Sequence, residues 1–217
     1  MMQTILIAVL TAAQAYLLGS VDTGILISKF VYHDDVRNHG SGAAGMTNML
    51  RTFGKKAAAL TAAGDVLKGV AAVCIGRWLF HFLPADAGLS AWLGVYLAAI
   101  LAVVGHLKPL YFGFKGGKAV SVATGTIIAI KPVLILPLLA VFFIVFLCSK
   151  MVSLASICCA AAYPAVTFLY FHFVAGRDVV LTTCCAAVIG GLVIWLHRSN
   201  IQRIKNGTEY KFGRKKK

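Results

Sequence analysis

Apolar residues run through this chain in seven blocks, at residues 3–30, 55–80, 90–107, 117–131, 133–149, 152–174 and 179–197. Short polar stretches separate them. A helix needs roughly 20 apolar residues to cross a bilayer. In lipid every backbone N–H and C=O must be paired within the segment, so such blocks fold as helices. The pattern therefore predicts an all-α, polytopic integral membrane protein with seven transmembrane helices. The fourth and fifth blocks abut at Lys131 and Pro132, where proline stops a helix. The fourth is short and is expected to be tilted or broken. Residues 1–217 read as a single membrane domain, with a basic tail over about 198–217.

Composition agrees with this class. The chain is 59% hydrophobic and 13% charged, with a mean hydropathy of +0.84. A formal charge of +14 would suit nucleic acid, but its placement argues against that partner. Residues 1–28 hold no Lys or Arg, and the basic residues gather between apolar blocks and in the tail. With seven spans, Lys29, Arg37, Arg51, Lys55, Lys56, Lys108, Lys115, Lys118, Lys150 and the tail all fall on one side. The other side keeps only Arg77, Lys131 and Arg177. By the positive-inside bias the N-terminus is outside, the C-terminus is cytoplasmic, and the 81–90 loop is external. The six cysteines all lie inside predicted spans and no CxxC occurs. They read as small apolar residues, so neither a disulfide nor a metal site is expected.

Three clusters interrupt the apolar pattern, and all fall on the predicted cytoplasmic side. They read HGSGAAGMTNMLR at 39–51, GHLKPLYFGFKGGKAVSVATG at 105–125 and HRSNIQRIKNGTE at 197–209. Glycines beside a lysine suit phosphate, because bare N–H groups can approach its oxygens while the ammonium adds charge. Gly116, Gly117 and Lys118 form one such element, with Lys115 beside it. Gly40, Ser41 and Gly42, with Thr47, Asn48 and Arg51, form a second, and the Arg51 fork matches a phosphate. In the third cluster His197, Asn200 and Arg203 fall on one helix face. Basic side chains alone would follow from topology, but Gly, Asn, Ser, Thr and His travelling with them point to one site for an anionic head group.

Two further features sit inside the bilayer. Asp65 and Lys68, in GDVLKG, are spaced to pair on one helix face. Charges there are costly and default to a functional role, with a structural ion pair as the equal alternative. Asp22 follows Gly19 and Ser20, where the first helix is expected to be irregular, and its partner is not evident from the sequence.

Together these residues resemble the bacterial acyl-phosphate:glycerol-3-phosphate acyltransferases, the PlsY family. The resemblance runs from Gly19 and Ser20 to Glu209. It rests on TNxLRxxGKK at 47–56, GHxxPxxFGFKGGK at 105–118 and HRxNIxRxxxGxE at 197–209. This chain departs from the family pattern at Asp22, usually Pro, at Ala43, usually Asn, at Met46, usually Ala, and at Ala119, often Gly. The resemblance implies a seven-helix enzyme of the bacterial cell membrane with its active site on the cytoplasmic face. It implies transfer of a fatty acyl group from acyl-phosphate to the 1-hydroxyl of glycerol 3-phosphate, with neither cofactor nor metal. On this reading Ser41, Arg51, Lys118, His197 and Asn200 are catalytic. Gly40, Gly42, Thr47, Asn48, Lys115, Gly116, Gly117 and Arg203 bind substrate phosphate. Asp65, Lys68, His106 and Glu209 support them.

The chemistry is consistent with what the chain lacks. Acyl-phosphate carries a good leaving group, so positioning and charge neutralisation matter more than a strong base. On the side of the three clusters no HxxxxD pattern is present, its one occurrence being His81 to Asp86 in the expected external loop, and no GxSxG pattern is present at all. His197 is the best base candidate, and deprotonation by a substrate phosphate is an equal one. A transporter for a small organic anion is the competing class. It predicts polar clusters on both faces and internal repeats, and this sequence has neither.

Overall fold

The computed structural model describes residues 2–83 and 91–213. Within these all regular structure is helical. The expected 81–90 external loop and the last four tail residues lie mostly or wholly outside the described residues. Contacts divide the chain into two compact units, Met1–Pro132 and Val133–Lys217.

The first unit holds α1 (Met2–Ser20), α2 (Thr23–Val31), α3 (Met46–Phe80), α4 (Ala91–Leu107) and α5 (Val120–Ile130). The block at 3–30 is two helices. The break falls at Asp22, whose Oδ1 accepts the Ile25 N–H at 3.1 Å and so caps α2. An aspartate thus starts a new helix within an apolar run. Helix α3 bends at Gly54, with φ +86°, a conformation that glycine adopts without penalty. The glycine of the GKK motif marks that bend. Helices α1 and α4 cross at small residues. A Cβ on Gly19 would strike the Ala102 carbonyl, and one on Gly105 the Tyr16 carbonyl, the kind of close approach that packs helices in lipid.

Six stretches in the described residues are long and apolar enough to cross a membrane: Met2–Val31, Met46–Phe80, Ala91–Phe112, Pro132–Ser149, Val152–Ala175 and Val179–Leu196. The block expected to span at 117–131 forms only α5, 11 residues long and so about 16 Å, half the hydrocarbon thickness. The reason is visible in its neighbours. Helix α5 lies along α3 from Gly69, beside Val122 and Thr126, to Arg77, whose Nη2 donates to the Ala129 carbonyl at 2.6 Å. Its first turn therefore starts at the depth of Lys68, because the chain before it is folded inward.

The second unit holds α6 (Ile135–Ser149), α7 (Val152–Tyr170), α8 (Val179–Leu196) and the short α9 (Arg198–Lys205). Helix α7 packs against α6 and α8, and α9 contacts α7 and α8. A π-helical turn, Phe171–Ala175, ends the α7 span.

Candidate active site

The first glycine-rich loop is built on a small apolar base. Val36 and Ala44 at its ends, with Ile25, Met49 and Ala57 from α2 and α3, are buried together, and Phe53 and Phe112 pack against them. Asn48, only 2% exposed, then sets the loop's shape. Its Oδ1 accepts the Ser41 N–H at 3.0 Å, and its Nδ2 donates to the Val36 and His39 carbonyls at 3.0 and 2.9 Å. Gly40 has φ +56°, and a Cβ there would collide with Asn48 Oδ1. The expectation that Asn48 itself binds phosphate is corrected: both its amide hydrogens are spent on the backbone. Its role is to hold the loop that presents Ser41, which is exposed. Thr47 is half-buried in the first turn of α3, and Arg51 is exposed one turn on, before the Gly54 bend.

The Gly116–Gly117 segment is likewise more than a cradle. A Cβ on Gly116 would strike the His106 carbonyl, and one on Gly117 the His106 ring. The Gly117 N–H donates to the His106 carbonyl at 3.2 Å. This glycine pair is needed so that the loop can lie against the end of α4, and the Gly117 N–H is not the phosphate donor expected from the motif. Lys118 follows directly, half-buried, and Lys115 is exposed.

Arg37 joins the two loops, and the sequence reading missed it. It pairs with Asp35 through Nε and Nη2, at 2.9 and 2.7 Å, and its Nη1 donates to the Phe112 and Lys115 carbonyls at 2.8 and 3.2 Å. The guanidinium holds the Asp35 carboxyl down at about 2, helped by the Arg37 N–H and opposed by burial. Arg37 and Asp35 are two residues apart just outside the HGSG motif, which was the only available signal.

Beneath the second loop lies a buried group of charges. Lys68 Nζ is 2.9 Å from Asp65 Oδ1, donates to the Val21 carbonyl at 2.6 Å, and is 2.9 Å from His106 Nδ1. The cap residue Asp22 completes it, its Oδ2 3.6 Å from His106 Nδ1. The intramembrane pair read from GDVLKG is thus present, and Asp22 has gained the neighbours that the sequence left open.

In the second unit the third cluster closes on Glu209. Its carboxylate accepts from Ser153 Oγ at 2.8 Å, Asn200 Nδ2 at 2.7 Å and Arg203 Nε at 2.7 Å. Burial pushes this carboxyl up, but the three hydrogen bonds and the Arg203 charge outweigh it and leave it below its ordinary range. Arg203, expected on substrate phosphate, is held here by an ion pair, and Ser153 was not foreseen at all. Asn200 Oδ1 is buried without a hydrogen-bond partner among the described residues. It is an acceptor suited to a hydroxyl. His197 is buried, and its Nδ1 donates to the Val193 carbonyl at 2.8 Å. A carbonyl can only accept, so Nδ1 bears the hydrogen and Nε2 is the nitrogen able to take a proton.

These features match one family. The glycerol-3-phosphate acyltransferase family model covers residues 9–207. The chain belongs to this family. A glycerol-3-phosphate acyltransferase of Clostridioides difficile (strain 630) is 41% identical over 208 residues, which is 96% of this chain and 97% of the relative. One from Thermosynechococcus vestitus is 38% identical over 216 residues, 98% of each. A crystal structure of PlsY (YgiH), an integral membrane glycerol 3-phosphate acyltransferase in its glycerol 3-phosphate form, matches with TM-score 0.80 and 38% identity, over 95% of this chain and 96% of that one. The lysophosphatidic acid form matches with TM-score 0.77 at 37% identity, over 95% of each. The family span includes both loops of the first unit and His197, Asn200 and Arg203. This chain is accordingly a helical integral membrane acyltransferase.

Proposed function

We propose that this chain acylates the 1-hydroxyl of glycerol 3-phosphate, with acyl-phosphate as the donor, at the cytoplasmic face of the bacterial cell membrane. The products are 1-acyl-glycerol 3-phosphate, which feeds phospholipid synthesis, and inorganic phosphate. The observation that carries this reading is the pair of loops tied by Arg37. Two small-residue loops, one with Ser41 and Arg51 and the other with Lys115 and Lys118, answer the need of two substrates that each bear phosphate.

In the reaction the glycerol hydroxyl oxygen bonds to the acyl carbonyl carbon, and the bond from that carbon to the phosphate oxygen breaks. Phosphate departs with the electron pair. Lys118 and Arg51 neutralise the phosphate charges and align the two groups, which suffices when the leaving group is good. Asn200 Oδ1 accepts a glycerol hydroxyl. The hydroxyl proton goes either to a phosphate oxygen or to His197 Nε2.

Assays of the purified protein with acyl-phosphate, acyl-CoA and acyl-carrier protein as separate donors test the proposal. Turnover with acyl-phosphate is expected. Efficient use of acyl-CoA with none on acyl-phosphate would overturn it. A His197→Gln variant decides the base. A loss of about 100- to 10,000-fold, with the wild-type rate following one titration, assigns the proton to His197. A small loss assigns it to the substrate. The membrane orientation is tested by a reporter fused after Lys217, expected in the cytoplasm.

A further inference from the structure

The buried charge group lies well inside the expected outer membrane surface, and no reaction step above uses it. Roughly 18 Å of helix separates Lys68 from the outer end of α3 at Phe80. Asp22, Asp65, Lys68 and His106 are all at most 7% exposed. Burying charge within the bilayer is expensive, and a buried ion pair is weak evidence for stability as such. What sets this group apart is its contact with the second loop. An ammonium has only hydrogens to give, so His106 Nδ1 accepts from Lys68 and the ring hydrogen sits on Nε2. Nε2 is the atom nearest to where a Gly117 Cβ would stand, and the His106 carbonyl takes the Gly117 N–H.

We infer that Lys68 and His106 are positioning residues for the Gly116–Lys118 loop: the buried ion group fixes the His106 ring, and the ring and carbonyl of His106 fix the loop. Lys68 donates to the Val21 carbonyl at the α1–α2 break and to His106 Nδ1 on α4, and its charge pairs with Asp65 on α3. Turning the ring breaks a charge-assisted bond in a buried setting. The loop, seated on that ring, presents Lys118 at one depth and one angle. This rests on the reading of the loop as a phosphate site.

The test measures kcat and KM for glycerol 3-phosphate and for an acyl-phosphate in a set of purified variants. Lys118→Ala serves as the benchmark and identifies which KM the loop controls. Gly117→Ala should raise that same KM by about tenfold, because its Cβ meets the ring. His106→Asn keeps an acceptor for Lys68 and removes the two ring atoms nearest that Cβ. The double variant Gly117→Ala/His106→Asn should therefore recover, with KM within about threefold of His106→Asn alone, a coupling that independent sites do not give. The charge-neutral pair Asp65→Asn/Lys68→Met should raise the same KM about tenfold in whatever protein folds. Two results would overturn the inference. One is Gly117→Ala and His106→Asn effects that simply multiply. The other is an Asp65→Asn/Lys68→Met protein with a lower melting temperature and wild-type KM. If Lys118→Ala itself changes neither constant, the phosphate-loop reading falls and this inference with it.

Discussion

Asn48 offers the sharpest test of how the first loop is made. Replacing it with alanine removes one acceptor and two donors at once. The Val36 carbonyl loses its partner in a buried setting, and an orphaned buried group costs about 1–3 kcal/mol. The Ser41 N–H and His39 carbonyl are in partly buried bonds that water can replace in part, at about 0.5–1 kcal/mol each. The sum is roughly 2–5 kcal/mol, and it falls on the loop rather than on the helices. Carried wholly into binding, that is about 30- to 4,000-fold in apparent affinity. The loop's own margin of stability absorbs some of it, so we expect KM to rise by more than about tenfold. Asn48→Asp keeps the acceptor for Ser41 but loses both donors and adds a negative charge beside an anion site. It should be worse than alanine at low ionic strength. The assay follows phosphate release while each substrate is varied in turn, with a melting curve on the same preparation. An Asn48→Ala protein that folds and keeps both KM values within about twofold of wild type would refute the argument.

Gly54→Ala places a Cβ on a residue at φ +86° and should cost on the order of 1–2 kcal/mol, read as a lower melting temperature in detergent. Glu209→Ala leaves Ser153, Asn200 and Arg203 without their shared acceptor. It should cost about 1–3 kcal/mol and lower kcat through Asn200, whereas Glu209→Gln, which keeps one oxygen, should lose less. The Glu209 carboxyl lies below its ordinary 4.5 in the folded chain, so the stability it adds is complete above that value and is lost as pH falls through its lowered value. Melting temperature should therefore be flat near neutrality on this account and drop in acid, and the drop should be shallower in Glu209→Gln. The Asp35–Arg37 pair follows the same sign and should yield only between about 3.8 and about 2.

The sequence alone determined the class of this protein. An apolar run in lipid has no way to pair its backbone except as a helix, so the blocks at 55–80, 90–107, 133–149, 152–174 and 179–197 became helices near those bounds. It also marked the candidate residues, because glycine beside Lys118 and polar residues around Arg51 stand out in an apolar chain. Tertiary structure decided what those residues touch. Asn48 and Gly117 looked like ligand groups because the motif shows their chemistry but not their neighbours. Asn48 faces a carbonyl 12 residues away in sequence, and Gly117 faces His106 across the turn between α4 and α5. Arg37 reaches carbonyls 75 and 78 residues on, and Glu209 binds a serine 56 residues before it. The length of α5 was settled in the same way: the apolar run at 117–131 is nearly long enough to span, but its first residue, Gly117, is drawn against His106. Period and composition report which surface a residue prefers. They carry no information on which partner, distant in sequence, the fold will bring to it.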